Sequence, residues 1–250
     1  MTKDSGVYKQ PAQSPSQLPS QLPSQLPLGI RLNDEARFEN YHISELNQPL
    51  LDELLEANGA PQFVYIRAQS GFGLSHLLQA LCHQETQDGH PALYVPLSQR
   101  QQLDPAILQG AETLALICLD NLEAIAGDAA WERALFNTFN EVLAAGTRLV
   151  LGSREHPGAL PIKLPDLQSR IQLAPLYQLR GLDDADKKQL LQLRARGRGM
   201  NLSPAVAEFV LNRTQRSLPA LMDVLEELDR SSLAHQRPLT IPLVKQTMGW

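Results

Sequence analysis

The strongest constraint on the fold is a glycine-containing segment at residues 68–75, which reads Ala-Gln-Ser-Gly-Phe-Gly-Leu-Ser. It follows an apolar strand pattern at residues 63–66 and precedes a helix pattern that begins at Ser75. A strand, a glycine-rich turn and a helix in this order predict an α/β unit. The turn and the helix N-terminus of such a unit present backbone N–H groups that can bind a phosphate.

The segment at residues 68–75, called the phosphate loop below, departs from the pattern G-x-x-x-x-G-K-[ST] at two positions. Ala68 replaces the first glycine and Leu74 replaces the lysine. Without the lysine ammonium, the site is expected to bind a nucleotide but to be a poor NTPase. The alternative is that the two glycines form only a tight turn. The residues predicted to contact the nucleotide are Ser70, Gly71, Phe72, Gly73, Leu74, Ser75 and His76.

A second nucleotide-site element is the apolar run at residues 114–120, which ends in Asp120. A buried strand that ends in an aspartate after such a loop predicts a carboxylate that holds Mg²⁺ through water, together with the hydroxyl of Ser75. The next residue is Asn121, where a water-activating carboxylate is usual, and an amide cannot accept that proton. This absence again predicts weak intrinsic hydrolysis. The alternative is an ordinary buried strand that ends in a turn.

Patterning divides the chain into an α/β body and a helical C-terminal region. Strand patterns occur at residues 63–66, 92–97, 114–120, 148–152 and 177–179, and helix patterns at 47–58, 75–86, 105–109, 131–145, 183–196, 203–212, 218–231 and 241–248. Strands that alternate with helices predict a parallel sheet with helices on both faces. We place the body at residues 31–179 and a small all-α domain at 180–250.

The N-terminal segment and the overall composition narrow the function classes. Residues 1–27 are rich in Pro, Gln and Ser, and proline at every fourth position disfavours helix, so a disordered tether is predicted. The net charge of −5 argues against non-specific nucleic-acid binding as the main task. Two cysteines are too few for a disulfide framework, which fits the cytoplasm. No apolar run approaches the roughly 20 residues of a membrane span, so no membrane partner is expected.

Four short segments together resemble the Hda family of DnaA-related AAA+ proteins. They are Ser75-His76-Leu77-Leu78, Leu119-Asp120-Asn121, the stretch at residues 164–170, and Leu239-Thr240-Ile241-Pro242. The resemblance extends over residues 25–250. It implies an AAA+ P-loop-type body with a helical lid, and a bound nucleoside diphosphate, most simply ADP, although other bases fit as well. It also implies a role in inactivating the bacterial replication initiator DnaA, and the alternative is a self-sufficient AAA+ ATPase such as a helicase loader.

The resemblance implies that Arg170 is an arginine finger, which lies just before the last strand and acts in the nucleotide site of a neighbouring DnaA subunit. A protein that lacks its own lysine and second acid can still supply an arginine to a competent partner. The alternative is a surface arginine that pairs with Asp166. An arginine that acts in a neighbouring subunit is also compatible with a homo-oligomer of this chain.

The resemblance also implies a clamp-binding peptide at residues 25–30, Gln-Leu-Pro-Leu-Gly-Ile. Gln25, Leu26, Leu28 and Ile30 would dock on the β sliding clamp of DNA polymerase III, through which the protein reaches DNA and the nucleoid. The tail at residues 1–24 contains a competing copy of Gln-Leu-Pro at residues 21–23, which lacks the later apolar anchors.

Two positions depart from what the family would carry. Pro219 occupies the slot of the lid sensor arginine, and Arg216 is the nearby arginine that would replace it. At the end of the fourth strand pattern, Ser153 is a weak sensor candidate. Both departures favour a diphosphate held as a structural ligand over a triphosphate whose γ-phosphate is sensed.

Overall fold

The structure, a computed structural model, describes residues 31–56, 62–235 and 239–250. The predicted tail and the predicted clamp-binding peptide therefore lie outside the described residues. The body contains strands β1 (Phe63–Arg67), β2 (Ala92–Pro96), β3 (Leu116–Asp120), β4 (Arg148–Ser153) and β5 (Leu176–Gln178). All the strand pairs are parallel, in the order β2-β3-β4-β1-β5.

Helices cover both faces of this sheet because side chains alternate along each buried strand. The body helices are α1 (Gln48–Leu55), α2 (Leu74–Gln87), α3 (Ala129–Ala145) and α4 (Pro165–Leu173). Val64 and Ile66 of β1 join the core that includes α1 and α2, whereas Tyr65 joins the core that includes α3 and α4. The α/β architecture predicted from the sequence is confirmed.

Beyond β5 the chain is helical and has its own apolar core. The helices are α5 (Asp184–Gly197), α6 (Pro204–Arg213), α7 (Leu218–His235) and α8 (Ile241–Met248). Asp183 caps the start of α5 in a reciprocal capping box with Asp186, in which each side chain accepts from the backbone N–H of the other residue. These bonds fix where the helix begins. Leu191, Val206 and Leu225 are among the buried side chains that join these helices. The predicted small all-α lid is confirmed.

Element boundaries differ from the predictions where local hydrogen bonding outweighs patterning. The helix predicted at residues 105–109 is a single 3-10 turn, Pro105–Leu108, which Asp104 caps through the N–H of Ala106. β3 begins at Leu116 instead of residue 114, because another 3-10 turn, Ala111–Thr113, precedes it. Within the described residues, no helix is both long and apolar enough to cross a membrane.

Candidate functional site

The site is a cleft of about 570 Å³ between the carboxyl ends of the central strands and the helical domain. Parallel sheets place ligand sites at this edge, where loops from neighbouring strands meet. The lining residues come from the phosphate loop, the ends of β3 and β4, the chain before α1, and the lid. They are Asn40, Tyr41, His42, Ala68, Gln69, Ser70, Gly71, Phe72, Gly73, Leu74, Ser75, His76, Ser98, Asp120, Asn121, Ser153, Arg154, Leu182, Leu190, Arg194, Leu218, Pro219 and Met222. All seven predicted loop contacts and Asp120 are therefore in one cleft.

The phosphate loop has the backbone geometry that a bound phosphate requires. Gly71 and Gly73 adopt left-handed conformations, with φ of 80° and 90°, which residues other than glycine rarely adopt. Gly73 is the N-cap of α2, and no side chain caps this helix end. The N–H groups of the first turn therefore lack intrahelical acceptors and can bind an anion. A methyl group on Gly73 would also lie 3.5 Å from the ring of Tyr41.

Leu74 fills the lysine slot with an apolar side chain that belongs to the core. It is 9% exposed and packs in the same cluster as Leu78 and Cys118. Its Cδ2 lies only 3.2 Å from where a Cβ on Gly152 would stand. The loop therefore offers backbone donors but no cation of its own.

Replacing Gly152 with alanine should lower the free energy of unfolding by about 1–3 kcal/mol. The new methyl group would lie 2.8 Å from Cδ1 of Leu78, which is fully buried and has little room to move. Urea denaturation measures the change. Gly158→Ala is the matched control, since its nearest contact would be an ordinary 3.5 Å. Equal stability of both variants would contradict this view of the packing.

Asp120 ends β3, and each of its carboxylate oxygens accepts a hydrogen bond. It is 2% exposed; one oxygen accepts from the Tyr94 hydroxyl at 2.9 Å and the other from the Asn121 N–H at 2.9 Å. Burial raises the pKa of Asp120, and hydrogen bonds from Ser75 and Tyr94 act in the opposite direction. Ser75 and Asp120 are thus neighbours, and their oxygens are of the kind that Mg²⁺ prefers. The pair fits the predicted ion, which remains a prediction.

Glu123 is a carboxylate that the sequence reasoning missed. Its oxygens accept from the Ser153 hydroxyl at 2.7 Å and from the Arg154 Nε at 2.7 Å. Burial raises the pKa of Glu123, but these hydrogen bonds outweigh burial and the pKa lies below its ordinary value. The sequence signal that could have identified Glu123 as a residue near the site was its position three residues after Asp120. Both oxygens of Glu123 therefore already accept hydrogen bonds from Ser153 or Arg154.

The chain before α1 forms one wall of the cleft and links the body to the lid. We call residues 31–47 the strap. On the body side, the carbonyl of Arg37 bonds Nε2 of His76 at 3.0 Å. On the lid side, His42 bonds Asp186 at 2.9 Å. The strap also makes short-range hydrogen bonds, such as that from Asn40 to the Glu35 carbonyl, but no sequence pattern predicted its contacts with residues distant in the chain.

The strap also bonds two arginines of the lid, Arg194 near the end of α5 and Arg198 just after it. Arg194 and Arg198 both bond the carboxylate of Glu35, at 2.8 and 3.2 Å. His76, predicted as a nucleotide contact, lines the cleft beneath the strap with its ring 5.3 Å from that of Tyr41. Burial lowers the pKa of His76, so the imidazole is neutral near pH 7.

The structure does not bring Arg216 to the cleft. Its guanidinium donates to Asp184 at 2.7 Å on the surface of the lid, and Pro219 lines the cleft instead. In this conformation Arg216 does not replace a sensor arginine. The lid side of the cleft is lined mainly by apolar side chains, including Leu218 and Met222.

Arg170 lies on α4, outside the cleft of its own chain. Its guanidinium carbon lies 5.0 Å from the ring centroid of Phe136 and 5.4 Å from that of Phe139, both on α3. Among the described residues it makes no ion pair with Asp166, which was the alternative interpretation. Its charge is therefore not neutralised by a carboxylate within the described chain.

Comparisons with known proteins agree with this architecture. Residues 184–248 match the family model described as Hda, lid domain. Domain III of the DnaA replication initiation protein from Thermotoga maritima aligns with a TM-score of 0.73 and 19% identity, over 88% of this chain and 98% of that chain. AMPPCP-bound DnaA from Aquifex aeolicus aligns with a TM-score of 0.65 and 20% identity, over 80% of this chain and 67% of that chain.

A structure of RuvB, the Holliday junction branch migration motor of Thermotoga maritima, aligns with a TM-score of 0.64 and 13% identity, over 86% of this chain and 71% of that chain. Identities this low demonstrate the fold alone, whereas the family model identifies the helical domain. The chain therefore has the fold of DnaA domain III, and its C-terminal helices match the family model described as Hda, lid domain.

Proposed function

We propose that this protein is a negative regulator of chromosomal replication initiation. It holds a nucleoside diphosphate in its own cleft, docks on the DNA-loaded sliding clamp through residues 25–30, and supplies Arg170 to a neighbouring DnaA molecule. The finger promotes hydrolysis of the ATP bound to DnaA. The proposed partners are therefore DnaA and the clamp, and the proposed place of action is the cytoplasm, at the nucleoid.

The observation that carries this proposal is the separation of Arg170 from the chain's own cleft. The cleft is lined by the phosphate loop and Asp120, but Arg170 is on α4 and contacts Phe136 and Phe139 of α3. A guanidinium in this place, with no carboxylate partner among the described residues, is available to a second molecule. A finger that acts in a partner's site needs this arrangement.

Self-sufficient ATP hydrolysis is disfavoured by the same cleft. Leu74 is buried in the core where a lysine would reach the phosphates. Asn121 cannot activate water, and Glu123 is bonded to Ser153 and Arg154. The cleft thus has features suited to binding a nucleotide, but it lacks two groups that hydrolysis requires.

The function is tested by following the conversion of DnaA-bound ATP to ADP. Purified protein, clamp loaded on DNA, and ATP–DnaA are combined, and each component is left out in turn. We expect conversion to rise only in the complete mixture, and the protein alone to turn over little ATP. Rapid turnover by the protein alone would favour a self-sufficient ATPase instead.

The cleft should bind ADP at least as tightly as ATP. The additional phosphate of ATP carries charge that no lysine at position 74 compensates, and one missing charge-assisted hydrogen bond costs about 1.5–3 kcal/mol. Calorimetric titration with the two nucleotides provides the measurement. A clear preference for ATP would show that another group recognises the γ-phosphate.

A further inference from the structure

The cleft contains two permanently charged cationic side chains, Arg154 and Arg194, among its described lining residues. Arg194 is engaged through both terminal nitrogens, which donate to the backbone carbonyl and the carboxylate of Glu35, and its side chain is only 10% exposed. Arg154 is different, since its side chain is 56% exposed and faces the same cleft. It is therefore the arginine with freedom to meet a ligand.

The backbone just before Arg154 is bonded directly to the start of the phosphate loop. Ser153 is the last residue of β4 and pairs with Arg67 of β1. The N–H of Ala68, the first loop residue, donates to the Ser153 carbonyl at 2.9 Å. The Nε of Arg67 donates to the Arg154 carbonyl at 3.1 Å. Arg154 thus begins at the phosphate end of the cleft, whereas Arg194 lies near the strap.

Glu123 anchors the Arg154 side chain in a way that leaves its terminal nitrogens available. The carboxylate of Glu123 accepts from the Nε at 2.7 Å and from the backbone N–H at 3.3 Å. Neither Nη1 nor Nη2 of Arg154 donates a hydrogen bond to any of the described residues. A guanidinium held at Nε keeps a fixed plane, and its free N–H groups suit phosphate oxygens.

We propose that Arg154 supplies, from the end of β4, the positive charge that Leu74 cannot supply from the loop. Arg154 binds the β-phosphate of the nucleoside diphosphate through its terminal nitrogens, and Glu123 is its positioning residue. This inference rests on the proposed nucleotide site. It explains how a loop without lysine can still hold a diphosphate: backbone N–H groups bind from one side, and a guanidinium from the neighbouring strand neutralises charge from the other.

The test is calorimetric titration of the full-length protein with ADP, AMP and adenosine, in EDTA so that no metal ion contributes. Arg154→Ala should weaken ADP binding by about 10–100-fold, the effect of losing one charge-assisted hydrogen bond. Adenosine binding should not change. Arg154→Lys should retain more ADP affinity than Arg154→Gln, because only lysine preserves the charge. Glu123→Gln should cause a smaller loss for ADP and none for adenosine.

Arg230→Ala is the matched control, since Arg230 is also exposed and paired with a glutamate, but on α7 and outside the cleft. It should leave all three affinities unchanged. Melting without nucleotide checks that each variant folds. If the parent binds ADP no better than adenosine, the proposed nucleotide site is wrong. If the parent prefers ADP and Arg154→Gln retains that preference in full, the site stands and the role of Arg154 is overturned.

Discussion

Replacing Arg170 with alanine should lower the stimulated hydrolysis of DnaA-bound ATP by about 10³–10⁵-fold, the usual effect of an arginine finger. A guanidinium stabilises the charge that spreads over the phosphoryl oxygens in the transition state more than in the ground state. The loss should therefore appear in the rate, while binding of nucleotide and clamp stays intact. Arg170→Lys should also fail largely, because an ammonium cannot reproduce the planar fork of donors.

The measurement is the single-turnover rate of conversion of DnaA-bound ATP, with clamp and DNA present. Arg213→Ala is a suitable control, because Arg213 also lies over a phenylalanine ring, Phe209 at 5.6 Å, but on α6 of the lid. It should convert DnaA-bound ATP at the parental rate. If Arg170→Ala were as active as the parent, the finger would lie elsewhere in the chain.

Replacing Gln25, Leu28 and Ile30 together with alanine should reduce clamp binding by at least about 100-fold, because a few anchoring side chains carry most of the energy of such interfaces. Glutamine would supply hydrogen bonds and the two aliphatic side chains would enter a hydrophobic pocket. Surface plasmon resonance on immobilised clamp gives the affinity. The melting temperature should not change, since the sequence predicts that this peptide precedes the folded body, which begins near residue 31.

The competing copy of the peptide supplies the control. Replacing Gln21 and Leu22 with alanine should leave clamp affinity near that of the parent, because this copy lacks the apolar anchors that Leu28 and Ile30 provide. If this double variant lost binding while the triple variant kept it, the docking peptide would be the earlier repeat. The DnaA assay should follow clamp affinity in both cases, since the proposed function requires the clamp to bring the finger to its target.

Several features of the fold and the site could be predicted from sequence because they are local. The strand before the phosphate loop, the left-handed glycines within it, and the apolar strand that ends in Asp120 each depend on residues adjacent in the chain. The helix patterns at residues 183–196 and 203–212 likewise correspond to α5 and α6, which Asp183 and Ser203 cap. Local backbone preference and side-chain periodicity carry this information directly.

Boundaries and partners were less predictable where tertiary contacts compete with local preference. The pattern at residues 105–109 predicted a helix, but the chain forms one 3-10 turn there, Pro105–Leu108. Arg216 is close in sequence to the sensor position, yet its ion pair with Asp184, 32 residues away, keeps it on the lid surface. The turn follows from its local cap, whereas the position of Arg216 has no local signal, because it depends on which distant group meets the side chain in the folded chain.

The sequence by itself determined that this chain builds a phosphate loop without lysine and a buried strand that ends in a single acid. Only the tertiary structure decided what surrounds them. Leu74 enters the core because Gly152 of β4 leaves room for it, and Glu123 meets Arg154 because neighbouring strands bring together residues 31 positions apart. The strap closes one wall of the cleft through contacts such as that between His42 and Asp186. Such pairings arise from the register of the sheet and the docking of the lid, which no local pattern encodes.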